Sequence, residues 1–83
     1  MISAKEARKL SEQNDYENRF REHIRLIDED IRRHAENRFI SYHIFDKNFE
    51  YMTITLIGTL KEFGYQVNLV EKGMNYNKIE IYW

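Results

Sequence analysis

A chain of 83 residues without cysteine has room for one small domain and neither a disulfide nor a thiolate metal site to brace it, so self-association is the route left for adding core. Thirteen basic against 14 acidic residues leave a net charge of -1, and no overall positive field draws the chain to nucleic acid or to an anionic membrane. The longest apolar runs are a few residues, too short for a membrane span or a signal peptide, and no proline with only three glycines reads as regular elements on short connections.

The first helix opens on a local signal. Ser3 and Glu6 stand in capping-box spacing with Ile2 and Ala7 at the staple positions, which predicts a first turn at Ala4. From Ser11 to Asp15 the apolar residues vanish, and Asn14 or Asp15 is able to cap a second helix, so this stretch is either a break or a solvated bridge. The absence of glycine and proline favours the unbroken form. From Tyr16 onward, Tyr16, Phe20, Ile24, Ile27, Ile31 and Ala35 recur along one stripe. A helix from Ala4 to about Asn37 extends roughly 50 Å, against a diameter of roughly 30 Å for a domain of this size. Its overhanging stripe needs a cover, which makes Tyr16, Phe20, Ile24, Ile27 and Ile31 the expected interface of a homodimer or higher oligomer.

After this long charged helix, residues 1–38, the rest of the chain reads as a β-α-β-β core, residues 39–83. In Phe39 to Phe45, Ile40, Tyr42 and Ile44 alternate with Phe39, Ser41, His43 and Phe45. Asp46 to Gly64 predicts an amphipathic helix with Phe49, Met52, Leu56, Leu60 and Phe63 on its core face, Asp46 or Asn48 as its cap and Gly64 as its left-handed stop. Gly58 inside it suggests close approach to another backbone. Tyr65, Val67 and Leu69 alternate with Gln66, Asn68 and Val70, a loop around Gly73 follows, and Asn77, Ile79, Ile81 and Trp83 oppose Tyr76, Lys78, Glu80 and Tyr82. The expected fold class is α+β: a long N-terminal helix, then a three-stranded mixed sheet with one helix packed on it. Its core face would carry Ile40, Tyr42, Ile44, Val67, Leu69, Ile79 and Ile81. The other face, bearing Ser41, His43, Gln66, Asn68, Lys78, Glu80 and Tyr82, is polar with one aromatic and suits either cover by the first helix or binding.

Among charged groups, the arginine series stands out because guanidinium holds phosphate or carboxylate bidentately. Glu17 with Arg21, Asp28 with Arg32 and Glu29 with Arg33 are i,i+4 pairs of the supporting orientation, so a salt-bridged solvent face is the plain reading. Arg21, Arg25 and Arg32 nevertheless border the apolar stripe, where they would clamp an anionic ligand, with Tyr42 or Tyr82 stacking on a base and His43 nearby. His23 and His34 lie about 16 Å apart along a helix, too far to share an ion, and Asp28, Glu29 and Asp30 point to successive faces, so neither a metal nor another cofactor is expected. The phosphate-loop, dinucleotide, nucleophile-elbow and zinc-protease patterns do not occur, and the expectation is a non-enzymatic protein.

The opening Met1-Ile2-Ser3-Ala4-Lys5-Glu6-Ala7-Arg8, the junction Leu60-Lys61-Glu62-Phe63-Gly64-Tyr65-Gln66-Val67 and the ending Ile79-Glu80-Ile81-Tyr82-Trp83 together resemble small accessory proteins encoded by tailed bacteriophages. The resemblance implies action in the bacterial cytoplasm during infection. Such proteins include inhibitors of host enzymes and of antiphage defence, among them oligomers that sequester cyclic nucleotides. The expected function is accordingly stoichiometric binding of a nucleotide signal or a host protein, the alternative being a structural or assembly factor of a phage particle.

Overall fold

In the computed structural model, which describes residues 1–83, helix α1 runs unbroken over Ala4–Arg33. The Ser3 side chain accepts from the Glu6 backbone N–H at 3.1 Å, satisfying one of the free amides of the first turn. Thirty residues at 1.5 Å each make a rod of about 45 Å. That rod sets the longest dimension of the molecule, 53 Å against 26 and 19 Å across. Ala35–Asn37 form a short 3-10 turn, and Arg38 takes a left-handed backbone (φ 60°) to swing the chain into the sheet.

The remaining elements are β1 (Phe39–Phe45), α2 (Phe49–Glu62), β2 (Gln66–Lys72) and β3 (Tyr76–Tyr82). Asp46 starts the β1–α2 turn by accepting from the Asn48 N–H at 3.0 Å, and Asn48 then occupies the cap position of α2 without a side-chain bond to the helix. Gly64 follows the helix at φ 94°, the conformation expected of it.

The fold is α+β, but the sheet is antiparallel throughout, not mixed. Its order is β1-β3-β2, with β3 antiparallel to both neighbours. β1 and β2 do run the same way, as a strand-helix-strand unit requires, yet they do not touch. The β2–β3 hairpin inserts β3 between them. This placement puts the strand with the most regular alternation, Asn77, Ile79 and Ile81 inward, at the centre, where both its edges are paired.

Both helices lie on one face of this sheet. Ile27 of α1 shares a single core with Ile40 and Ile44 of β1, Met52, Leu56 and Leu60 of α2, Val67 of β2, and Ile79 and Ile81 of β3. The apolar stripe of α1 therefore closes on its own chain: Ile27 is 1% exposed, and Tyr16, Phe20, Ile24 and Ile31 pack against the same core. Of the expected interface Tyr16, Phe20, Ile24, Ile27 and Ile31, the central Ile27 is spent within its own chain, and the other four keep only part of their surface open. A stripe reads the same in sequence whether its cover is another chain or the chain's own sheet.

Three smaller expectations also change. Phe63, just past the end of α2, is 77% exposed, and Leu69 on the edge strand β2 is exposed as well. A Cβ on Gly58 would meet nothing within 4 Å, so no backbone approaches it. Asn77, inward with the isoleucines, is accommodated by donating from Nδ2 to Thr53 Oγ1 at 3.0 Å, while Thr53 donates to the Phe49 carbonyl at 2.6 Å.

Candidate binding face

With both helices on one side, the opposite face of the sheet has no covering element. The antiparallel register sets its side chains in rows: Phe39, Tyr82 and Gln66; then Ser41, Glu80 and Asn68; then His43, Lys78 and Glu71; then Phe45 with Tyr76. The two end rows are aromatic. Phe39 stacks on Tyr82 with ring centres 5.6 Å apart. At the other end Phe45, Tyr76 and His43 form a triangle with centres 5.1 to 5.9 Å apart. Six strand positions, about 20 Å, separate the two ends. Phe39 is 43% and Phe45 61% exposed, although cross-strand aromatic pairs of this kind are ordinarily spent on a core.

The polar groups fix the rings in place. Tyr76 donates to Glu71 at 2.8 Å, and Tyr82 donates to Glu80. Each carboxylate raises the pKa of its phenol, chiefly through that hydrogen bond, so both tyrosines stay neutral donors well above pH 7. Gly73 has a steric reason: a Cβ there would overlap the Tyr76 ring. In charge, the face sets one cation, Lys78, against Glu71 and Glu80, which gives no positive field for a phosphate chain.

On the helix side a polar chain fastens α1 to the edge of the sheet. Tyr42 donates to His23 Nδ1 at 2.6 Å, and His23 Nε2 donates to Asp46 Oδ2 at 3.1 Å. The tautomer follows from the partners, since an ionised carboxylate only accepts. Arg19 Nε contacts both Asp46 oxygens at 3.1 Å and its guanidinium also reaches Asp15, which Lys47 meets at 2.7 Å. Burial opposes the charge of Asp46, whose side chain is 2% exposed, yet the Asn48 N–H, His23 and Arg19 together hold its pKa below the ordinary aspartate value. Hydroxyl, imidazole and carboxylate in this order have the connectivity of a nucleophilic triad. The phenol is nevertheless pushed up to about 12, by burial first and then by Glu22, Asp30 and Asp46, so Tyr42 is held as a protonated donor. The chain acts as a fastening.

A groove of about 400 Å³ lies between α1 and the C-terminal half of α2, floored by Ile24, Ile31 and Leu60 and bordered by Arg21, Arg25 and Phe63. Arg25 is held by Glu22 and by Glu29 (2.6 Å), and that engagement raises its pKa further. Arg32 pairs with Asp28 at 2.9 Å as expected, whereas Arg21 and Arg33 form no ion pair: the expected Glu17 to Arg21 pair is not made, and Glu29 is taken by Arg25 instead of Arg33.

The sequence-derived ligand set therefore divides three ways. Arg21 and Arg25 border the groove, with Arg32 exposed on the same helix; Tyr42 is engaged by His23; His43 and Tyr82 lie across the sheet on the outer face. Arg21 and Arg25 do not converge with Tyr42 or Tyr82, and the tyrosine that lines their groove is Tyr65. Phe39, Phe45 and Tyr76 join His43 and Tyr82 on the outer face, which corrects the expectation of a polar face with one aromatic: alternation sets these rings opposite the core, and the register gathers them into clusters. Elsewhere, no three His, Asp or Glu side chains are grouped to hold a metal ion, and no helix is long and apolar enough to cross a membrane. No protein family, curated protein or solved structure matches the chain.

Proposed function

We propose that this chain is a non-enzymatic binding protein that engages a protein partner in fixed stoichiometry through the outer face of its sheet. One observation supports the reading above others: two aromatic clusters, Phe39 with Tyr82 and Phe45 with Tyr76 and His43, stand on a face that no part of the chain covers. Aromatic side chains among few charges are the composition of a protein interface core, and an open sheet suits a protein surface better than a small molecule, which binds in concave sites. Small accessory phage proteins, which the sequence resembles, work inside a bacterial cell, so the partner in this reading is a host protein, antiphage defence components included. The nucleotide version draws less support, because neither Tyr42 nor Tyr82 joins Arg21 and Arg25 at the groove and Arg25 is already held by Glu22 and Glu29.

A second reading, an assembly factor of a phage particle, draws on the first three turns of α1. These are almost wholly exposed and precede Tyr16, the first residue of the helix to pack on the core. A rod projecting from a compact body is a suitable assembly handle.

The test is affinity capture from the cell that expresses the protein, comparing the native chain with a Phe45→Ser, Tyr82→Ser variant shown to be folded by circular dichroism. The reading expects one polypeptide retained in constant ratio by the native chain and lost from the variant. Equal retention by both, or retention lost on deleting residues 1–12 and unaffected in the Phe45→Ser, Tyr82→Ser variant, overturns it.

A further inference from the structure

The two edges of the sheet differ. β2 carries a bulge between Leu69 and Glu71 and two charged residues, Glu71 and Lys72, devices that discourage another strand from adding. β1 carries none of these: Phe-Ile-Ser-Tyr-His-Ile-Phe has no lysine, acid, proline, glycine or register shift over its seven residues. Its outward hydrogen-bonding groups can be identified. The Trp83 N–H donates to the Arg38 carbonyl at 3.1 Å, which makes Arg38 and Trp83 a hydrogen-bonded pair of the β1–β3 ladder. Such pairs alternate, so Ile40, Tyr42 and Ile44 bond to β3, while the N–H and C=O groups of Phe39, Ser41, His43 and Phe45 point off the open edge.

The strand is also a near-palindrome about Tyr42. Phe39 mirrors Phe45, Ile40 mirrors Ile44, and Ser41 mirrors His43. We infer that β1 pairs antiparallel with β1 of a second copy across a two-fold axis at Tyr42, joining two three-stranded sheets into one of six strands. This register sets Phe39 opposite the partner's Phe45, Ile40 opposite the partner's Ile44 and Ser41 opposite the partner's His43. Every one of the outward-pointing residues then meets another outward-pointing residue, so the pairing satisfies the free edge without disturbing the bonds to β3. Like meets like on both faces, as an isologous contact requires.

Two features accommodate the join. On the helix side, a pocket of about 220 Å³ lined by Leu26, Glu29, Asp30, Arg33 and Tyr42 leaves room beside Tyr42 for the partner's Tyr42, which the non-hydrogen-bonded register brings close. Exposed Leu26 and the unpaired Arg33 lie on that flank. On the outer face the aromatic clusters merge: Tyr76 and Phe45 continue into the partner's Phe39 and the partner's Tyr82, so the second copy completes a row of four rings on either side of the axis. The pairing stands on the edge and its sequence symmetry, independently of what the outer face binds.

The experiment is sedimentation equilibrium of the purified chain with hydrogen exchange read at single amides. The expected species has twice the chain mass of 10.2 kDa, and the Ser41 and His43 amides exchange about tenfold or more slowly in it than after dilution to the single chain. Ser41→Pro, which removes one outward N–H and leaves the bonds to β3 in place, is expected to sediment as a folded single chain. Should that variant not fold, a Ser41→Lys, His43→Lys variant, which opposes lysine to lysine twice across the axis, gives the same readout. A native chain that remains single at hundreds of micromolar, a dimer that persists in the folded variants, or a dimer whose Ser41 and His43 amides exchange freely overturns the pairing.

Discussion

Tyr42 donates a hydrogen bond from its hydroxyl to His23 Nδ1 across 2.6 Å, and this contact ties the middle of β1 to the middle of α1 on the inner side of the sheet. The rings meet edge to face, with centres 5.8 Å apart. Replacing Tyr42 by Phe keeps the ring and leaves Nδ1 of a nearly buried imidazole without its donor. The expected cost is about 1 to 2 kcal/mol, read from urea unfolding followed by circular dichroism, with the dependence on urea unchanged.

Asp46 gives the fold an acid limit. Its pKa is lowered in the folded state, so its contribution is fully present above the ordinary aspartate pKa and is lost as pH falls through the lowered folded value. Unfolding at a series of pH values is expected to show stability declining below about pH 4, with part of that slope missing from Asp46→Asn. At pH 7 the same substitution is expected to destabilise by about 3 kcal/mol, because His23 and the Arg19 Nε lose their buried carboxylate, although Arg19 keeps Asp15.

Gly58 and Gly64 carry opposite expectations. Alanine at Gly58 meets no neighbour and removes the flexibility of a glycine inside a helix, so Gly58→Ala is expected to raise stability by up to about 1 kcal/mol, visible as a higher Tm. Gly64 sits at φ 94°, and Gly64→Ala is expected to lower stability by about 1 to 2 kcal/mol.

Ile27 tests where the stripe of α1 is spent. Because it is fully enclosed by its own chain, Ile27→Ala leaves a cavity in the core, and the expected loss is about 3 kcal/mol. Unfolding of the dissociated chain shows this loss unaltered by protein concentration. Had the stripe faced a second copy, the loss would appear as weaker association instead.

The elements were legible because each carries its own punctuation: the Ser3 cap, the left-handed Gly64, the period of two in the strands and of three to four in the helices. The inward set Ile40, Ile44, Val67, Ile79 and Ile81 followed from alternation alone. What local pattern does not encode is which strand neighbours which, and the insertion of β3 between β1 and β2 turned an expected mixed sheet into an antiparallel one. The same gap hid the destination of α1. His23 falls four residues before Ile27 and three after Phe20, a spacing that put it on the inner side of the helix, but only the fold brought Tyr42 and Asp46 to it. On the outer face, Phe39 and Tyr82 belonged to separate runs 43 positions apart until the register stacked them.

The claim that the outer face is where this protein acts is tested most directly by a photo-crosslinking phenylalanine analogue placed in the expressing cell at Phe45, and for comparison at exposed Ile54 on α2. The account predicts that Phe45 yields one discrete adduct with another protein, distinct from any adduct between two copies of the chain, and that Ile54 does not. An adduct from Ile54 with none from Phe45 would contradict it.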